Sequence, residues 1–229
     1  MPTSKAAGTT GSRRTTAPRR RSRVLDAETP LGPARLHVTN PSGAGSPVGR
    51  LVLGHGAGGG VDAADLAAVA REATGAGWQV VRFEQPWRVA GRRVATAPAQ
   101  LDRAWTAVLT DPPAGLPDVD GPVVFGGRSA GARVACRTAV PLGAAAVCCL
   151  AFPLHPPGRP ERSRAEELAG SGVPTLVVQG RRDPFGRPEE VAALRLRHVE
   201  LAPVDGDHGP GDLAQVTDAV IGWLSRLAP

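Results

Sequence analysis

Residues 122–131 read PVVFGGRSAG, and the fold is decided there. Pro122 to Gly127 is an apolar run of strand type. Ser129 to Thr138 has the character of a helix. The junction between them is Gly127-Arg128-Ser129-Ala130-Gly131. A serine with glycine two places before and two after, between a strand and a helix, fits a tight turn that exposes the hydroxyl. Such a turn strains the φ/ψ of its central residue, and side chains at the flanking positions would collide, so both are glycine. The helix that follows points its unpaired N–H groups at the serine and favours negative charge developing there. In a chain with 29 glycines the bare pattern says little; its placement makes Ser129 the candidate nucleophile.

The pattern continues on both sides of this turn. Strand-type runs are Ala34 to Val38, Arg50 to Gly54, Trp78 to Glu84, Ala144 to Phe152, Pro174 to Gln179 and His198 to Pro203. Helix-type segments start at Asp62, Pro98, Ser163, Pro188 and Gly211. The central strands are continuous apolar runs, as expected of strands buried on both faces. Strands alternating with helices imply βαβ units in an open, mostly parallel sheet with helices on both faces. Active sites in such sheets gather beyond the carboxyl ends of the strands. No stretch is long enough for a large cap domain, and only residues 153–168 offer material for a small lid.

A hydroxyl is a poor nucleophile until a base takes its proton. Of His37, His55, His155, His198 and His208, the last lies in a glycine-rich loop, DGDHG at 205–209, after the final strand. That places His208 at the carboxyl edge, over Ser129. The base needs a carboxylate to fix its tautomer. Asp183 follows the PTLVVQ strand and completes the chain order Ser, Asp, His. Asp205 and Asp207 are rivals, but carboxylates so close in sequence to the histidine usually cap their own loop. The oxyanion of an acyl-transfer intermediate needs preorganised donors. The candidates are the Ala130 amide and, from the HGAGGG loop at 55–60, the Ala57 amide, with the Gly58 amide as the alternative. That loop lacks the spacing of a nucleotide-binding loop, and His55 is expected to support it. Arg128 and His155 are weaker candidates for contact with an acidic substrate group. No cofactor and no metal is expected, since no Cys, His or carboxylate spacing suits one.

HGAGGG at 55–60, GGRSAGARVA at 126–135, FPLHPPGRPE at 152–161, VQGRRDPFG at 178–186 and GDHG at 206–209 together resemble the α/β-hydrolase superfamily. The resemblance covers most of residues 34–227. Within the superfamily the chain is most similar to small lidless members, those resembling dienelactone hydrolases and the testis-expressed-protein-like hydrolases. Dienelactone hydrolases proper use a cysteine where this chain has Ser129. The resemblance implies a three-layer α/β-hydrolase fold and a triad of Ser129, Asp183 and His208. With the residue reading, it leads to a serine hydrolase acting on a small ester or thioester through an acyl-enzyme. The alternative is a non-catalytic binding or scaffold protein on the same fold.

Composition bounds the rest. The chain has 229 residues, 41% of them apolar, enough for one core. Residues 1–24 read as a disordered basic tail and 25–229 as the domain. Lys5, Arg13, Arg14, Arg19, Arg20, Arg21 and Arg23 outnumber the net charge of +6 by one, so the remainder is near neutral. Such a tail attracts nucleic acid or anionic lipid only by counterion release, and a solvated extension is the expected reading. The twin arginines lack the apolar region of an export signal. Cys136, Cys148 and Cys149 are odd in number, and neighbouring strand residues point to opposite faces, so reduced buried thiols in a cytoplasmic protein are expected. The expected partner is a small acyl substrate, with no membrane, and the oligomeric state is left open.

Overall fold

The computed structural model describes residues 22–42 and 45–228. In chain order the elements are β1 (Ser22–Ala27), β2 (Ala34–Thr39), β3 (Arg50–Gly54), α1 (Ala64–Gly75), β4 (Gln79–Glu84), α2 (Pro86–Val89) and α3 (Pro98–Thr110). They continue with β5 (Val123–Arg128), α4 (Ala130–Thr138), β6 (Ala146–Leu150), α5 (Ala165–Ala169), β7 (Thr175–Gly180), α6 (Pro188–Ala193), β8 (Val199–Val204) and α7 (Leu213–Leu224). Among the described residues one sheet of eight strands runs β1-β2-β4-β3-β5-β6-β7-β8. The first two pairings are antiparallel and all the others parallel.

Every strand expected from the apolar runs is present. One was not expected: β1 pairs along the outer edge of β2. Its burial alternates poorly, and only Ala27 is fully covered, so no core-facing stripe marked it. Residues 22–24, assigned to the tail on charge, are therefore sheet; the rest of the tail, residues 1–21, lies outside the described residues.

The sheet separates two cores because successive side chains on a strand face opposite ways. On β6, Val147 and Cys149 join the face covered by α3, α4, α5 and α6. Ala146, Cys148 and Leu150 join the face covered by α1 and α7. The first core centres on Trp105, whose ring meets Phe83 and Phe125 with centroids 5.2 and 5.6 Å away. Truncating such a ring typically costs about 3–5 kcal/mol. All three cysteines are free and buried. Burial pushes the Cys148 thiol up to about 12. The contact with Cys136, 3.5 Å between sulfurs, raises Cys149 and burial adds to it. Cys148 and Cys149 stay protonated, and all three cysteines pack as small apolar groups.

The helix behind the candidate nucleophile is braced from both sides. On α4, Arg133 and Arg137 share Glu167 of α5, and Arg137 also holds Asp102 of α3. Burial pushes the Glu167 carboxyl up, and the two guanidiniums more than offset it. Residues 153–168 form no lid. Leu154 is buried, Arg164 ties back to the Leu154 and Pro153 carbonyls, and one short 3₁₀ turn spans Pro160–Arg162. Among the described residues no helix is long and apolar enough to cross a membrane.

Candidate active site

The carboxyl ends of the parallel strands place the chemistry on one edge. Gly54 ends β3 beside Gly127 of β5 in register, and Ser129 caps the start of α4. Its φ is 51° and ψ −107°, a conformation that L-residues adopt only when the surroundings enforce it. The glycines on either side are required by close approach to β3. A Cβ on Gly127 would lie 2.4 Å from the Gly54 carbonyl oxygen, and one on Gly131 2.2 Å from the same atom. The expected collision is thus chiefly with the neighbouring strand. It lets α4 start immediately behind the serine.

Ser129, His208 and Asp183 lie in one hydrogen-bonded line. The Ser129 hydroxyl is 2.9 Å from His208 Nε2. His208 Nδ1 donates to Asp183, 2.8 Å to Oδ2 and 3.1 Å to Oδ1. Asp183 is 1% exposed and accepts two more bonds, from the Gln179 amide at 2.9 Å and the Phe185 backbone N–H at 2.8 Å. The Phe185 ring lies on the imidazole, centroids 4.1 Å apart. The rival acids are occupied elsewhere. Asp207 accepts from Gly209 N–H, and Asp205 from the Gln215 side chain. His37 pairs with Glu84, and His198 bonds to Ser171.

The HGAGGG loop is oriented by His55, which is 3% exposed. Its Nδ1–H donates to the Gly56 carbonyl at 2.9 Å, and its Nε2 accepts from Gln85 N–H at 3.2 Å. Burial pushes its pKa down, which matches an imidazole that donates once and accepts once. A trans peptide points its N–H opposite to its carbonyl. Holding the Gly56 carbonyl toward His55 therefore turns the Ala57 N–H the other way. Ala57 and Ala130 line one common cleft with Gly54 and Gly131. Two amide donors beside a serine–imidazole pair can stabilise an oxyanion while the imidazole moves a proton.

Arg128 and His155 are engaged within the protein. Arg128 Nε binds Asp65 Oδ2 at 2.8 Å, and its guanidinium also donates to the His208 backbone carbonyl. A Cβ on Gly56 would lie 3.5 Å from Arg128 Nη1. One guanidinium thus ties the serine turn and the histidine loop to a carboxylate on α1 that is 2% exposed, and it lies beside the glycine loop. Removing Arg128 would leave that carboxylate buried and unpaired. Arg128→Ala is expected to lower any Ser129-dependent turnover about ten- to hundredfold by displacing Ser129 and His208, with KM less affected and the melting temperature lowered. Arg128→Lys is expected to restore little, because a single ammonium cannot replace the planar fork. Steady-state kinetics with thermal melting checks this, and an unchanged kcat in the folded alanine variant would refute it.

His155 donates from both ring nitrogens, to the Pro156 carbonyl and to Glu190, each at 2.9 Å. Both ring nitrogens thus face acceptors, which favours the protonated ring. The Pro156 carbonyl raises its pKa and Glu190 adds to the effect; the Glu190 carboxyl is lowered, by the Arg187 N–H first and by His155 second. The histidine's contribution to stability is present below its ordinary 6.5 and fades as pH rises through the higher folded value. The glutamate's is present above 4.5 and fades as pH falls through the lower folded value. His155→Gln is therefore expected to lower the melting temperature more at pH 5.5 than at pH 9. A pH-independent difference in thermal melts would contradict it.

Among the described residues no group of three or more His, Cys, Asp or Glu could hold a metal. Several site residues were not foreseen: Gln179 and Phe185, which hold Asp183 and His208, Asp65 behind Arg128, and Gln85 and Trp87 beside the cleft. The Asp65–Arg128 pair is 63 residues apart in sequence, so no local pattern marks it.

A family model described as an alpha/beta hydrolase domain matches residues 47–215. No curated protein matches the chain in sequence. Among solved structures it is similar to a serine hydrolase without a lid from Xanthomonas campestris, with TM-score 0.70, 23% identity, and 91% of this chain and 95% of that one covered. It is similar to an alpha-beta serine hydrolase homologue from Coxiella burnetii at TM-score 0.70, 19% identity and coverage of 90% and 97%. A cold-adapted esterase from an Arctic intertidal metagenomic library gives TM-score 0.69, 14% identity and coverage of 91% and 94%. At these identities the structural likeness speaks for the fold.

Proposed function

Because this chain belongs to the α/β-hydrolase family, we propose that it is a serine hydrolase that cleaves a small ester or thioester through an acyl-enzyme on Ser129. The observation that carries this reading is the unbroken line from Ser129 Oγ through His208 to the buried Asp183. Ser129 Oγ attacks the carbonyl carbon while His208 Nε2 takes its proton. The Ala57 and Ala130 amides receive the oxyanion. The imidazolium, stabilised by Asp183, then gives its proton to the leaving alcohol or thiol. Water attacks the acyl-enzyme by the same route, with His208 as base, and releases the acid. These steps need no metal or organic cofactor. Three free buried thiols favour a reducing compartment, the cytoplasm, for this chemistry.

Hydrolysis of p-nitrophenyl esters from acetate to dodecanoate, with fluorophosphonate labelling of wild type and Ser129→Ala, tests the reading. Turnover and labelling that both depend on Ser129 support it. A wild-type protein that neither turns over nor labels would favour a scaffold on this fold.

A further inference from the structure

One face of the His208 imidazole is covered by an aromatic ring. Phe185 lies on it with centroids 4.1 Å apart and planes 31° apart. Aromatic pairs ordinarily sit about 4.5–7 Å apart, and an edge-on ring needs both a larger separation and a steeper angle than these. The two faces therefore overlap. The benzene ring turns toward the imidazole its face, the negative part of its quadrupole, and not its positive rim.

The backbone fixes this placement. Phe185 N–H donates to Asp183 Oδ1 at 2.8 Å, and the Phe185 carbonyl accepts from His155 N–H at 2.9 Å. Gly186 is tied as well, its N–H to the Asp183 carbonyl and its own carbonyl to the Gln179 amide at 2.7 Å. Gly186 has φ 134°, and a Cβ there would lie 2.7 Å from Leu154 Cβ. Glycine lets the chain turn closely behind the ring. One residue is thus bound to the acid through its backbone and to the base through its side chain.

What the ring does depends on the state of His208. Against a neutral imidazole it packs. Once Nε2 has taken the Ser129 proton, the imidazole is a cation lying on a π face, well within the range of about 6 Å over which such a face attracts a cation. Among the described residues Asp183 is the only carboxylate bonded to this imidazole, and it meets the edge, at Nδ1. The Arg128 guanidinium, bonded to the His208 backbone carbonyl, places another positive charge close by. We propose, resting on the serine-hydrolase reading, that the Phe185 ring stabilises the His208 imidazolium through its π face and so lowers the barrier to acyl transfer. The cation exists only while the oxyanion forms and collapses, so the attraction acts on the transition state and not on substrate binding. Phe185 takes up no proton; the one that Nε2 receives from Ser129 Oγ passes to the leaving group.

The test changes the charge on that face and keeps its shape. Phe185 is replaced site-specifically by 4-fluoro-, 3,5-difluoro- and 3,4,5-trifluorophenylalanine, each fluorine drawing electron density from the face. Hydrolysis of p-nitrophenyl acetate is followed alongside thermal melting. Acylation and deacylation both pass through the imidazolium, so kcat and kcat/KM are expected to fall together and stepwise with fluorine number. The fall should reach about five- to tenfold at three fluorines, with KM and the melting temperature nearly constant. Phe185→Leu, apolar but without a π face, is expected to lose about ten- to thirtyfold in kcat. Rate constants unmoved by fluorination, or a change confined to KM, overturn the proposal and leave Phe185 a packing residue. Turnover that depends on Ser129 would then leave the hydrolase reading standing. Absence of Ser129-dependent turnover, with no fluorophosphonate labelling, removes both.

Discussion

Ser129→Ala is expected to lower kcat/KM for ester hydrolysis by about 10⁵-fold or more, while the protein folds as before. The size follows from what remains. Without Oγ no acyl-enzyme forms, and His208 has only water to activate. The donors at Ala57 and Ala130 survive, so a residual rate above the uncatalysed one persists. Stability should move little or upward, because Ser129 sits at φ 51° and, among the described residues, its hydroxyl is bonded only to His208. Alanine at that φ meets the same backbone strain, enforced by the glycines packed on Gly54. The measurement is a rate comparison at matched concentrations, with thermal melts to verify folding. Turnover within tenfold of wild type would show that some other group does the chemistry.

The juxtaposition of Ser129, Asp183 and His208 was legible in the sequence because each follows a strand whose apolar run marks its end. The Ser129 turn is flagged by two glycines whose removal the packing forbids. Asp183 and His208 follow β7 and β8, and parallel strands bring their carboxyl ends to one edge whatever lies between. What was not legible depends on contacts between distant segments. Arg128 looked free to meet a substrate because Asp65, its partner, lies on α1 across the edge. His155 looked available because Glu190, which holds it, belongs to α6. The α2 turn, four residues begun by a proline, is too short for periodicity to show, yet it brings Trp87 to the cleft beside Ala57 and Ala130. β1 was hidden for another reason: an edge strand with mostly exposed side chains has no burial pattern to read, and its arginine resembled the tail before it.

Asp183→Asn is expected to lower kcat by about 10⁴-fold with a smaller change in KM, although it alters a single atom. The carboxylate accepts from three donors at once: His208 Nδ1–H, the Gln179 amide and the Phe185 N–H. An asparagine has one oxygen to offer. With its NH₂ in the place of Oδ2 it faces both His208 Nδ1–H and the Gln179 NH₂. With its NH₂ in the place of Oδ1 it faces the Phe185 N–H. Donor meets donor either way, at a position 1% exposed where water cannot mediate. One relief moves the imidazole proton to Nε2, so that Nδ1 accepts from the asparagine. That tautomer points N–H at Ser129 and can no longer take its proton. Rotating Gln179 is a poor remedy, because the same NH₂ also serves the Phe152 and Gly186 carbonyls. The neutral residue also removes the charge that stabilises the imidazolium. Asp183→Asn should still label with a fluorophosphonate, only far more slowly, because Ser129 and both amide donors stay in place. Raising the pH should recover part of the rate, as the attacking hydroxyl then loses its proton to solvent base instead of His208. A variant with near-wild-type kcat would mean that Asp205, now bonded to Gln215 of α7, or Asp207, now bonded within its own loop, had been the orienting acid.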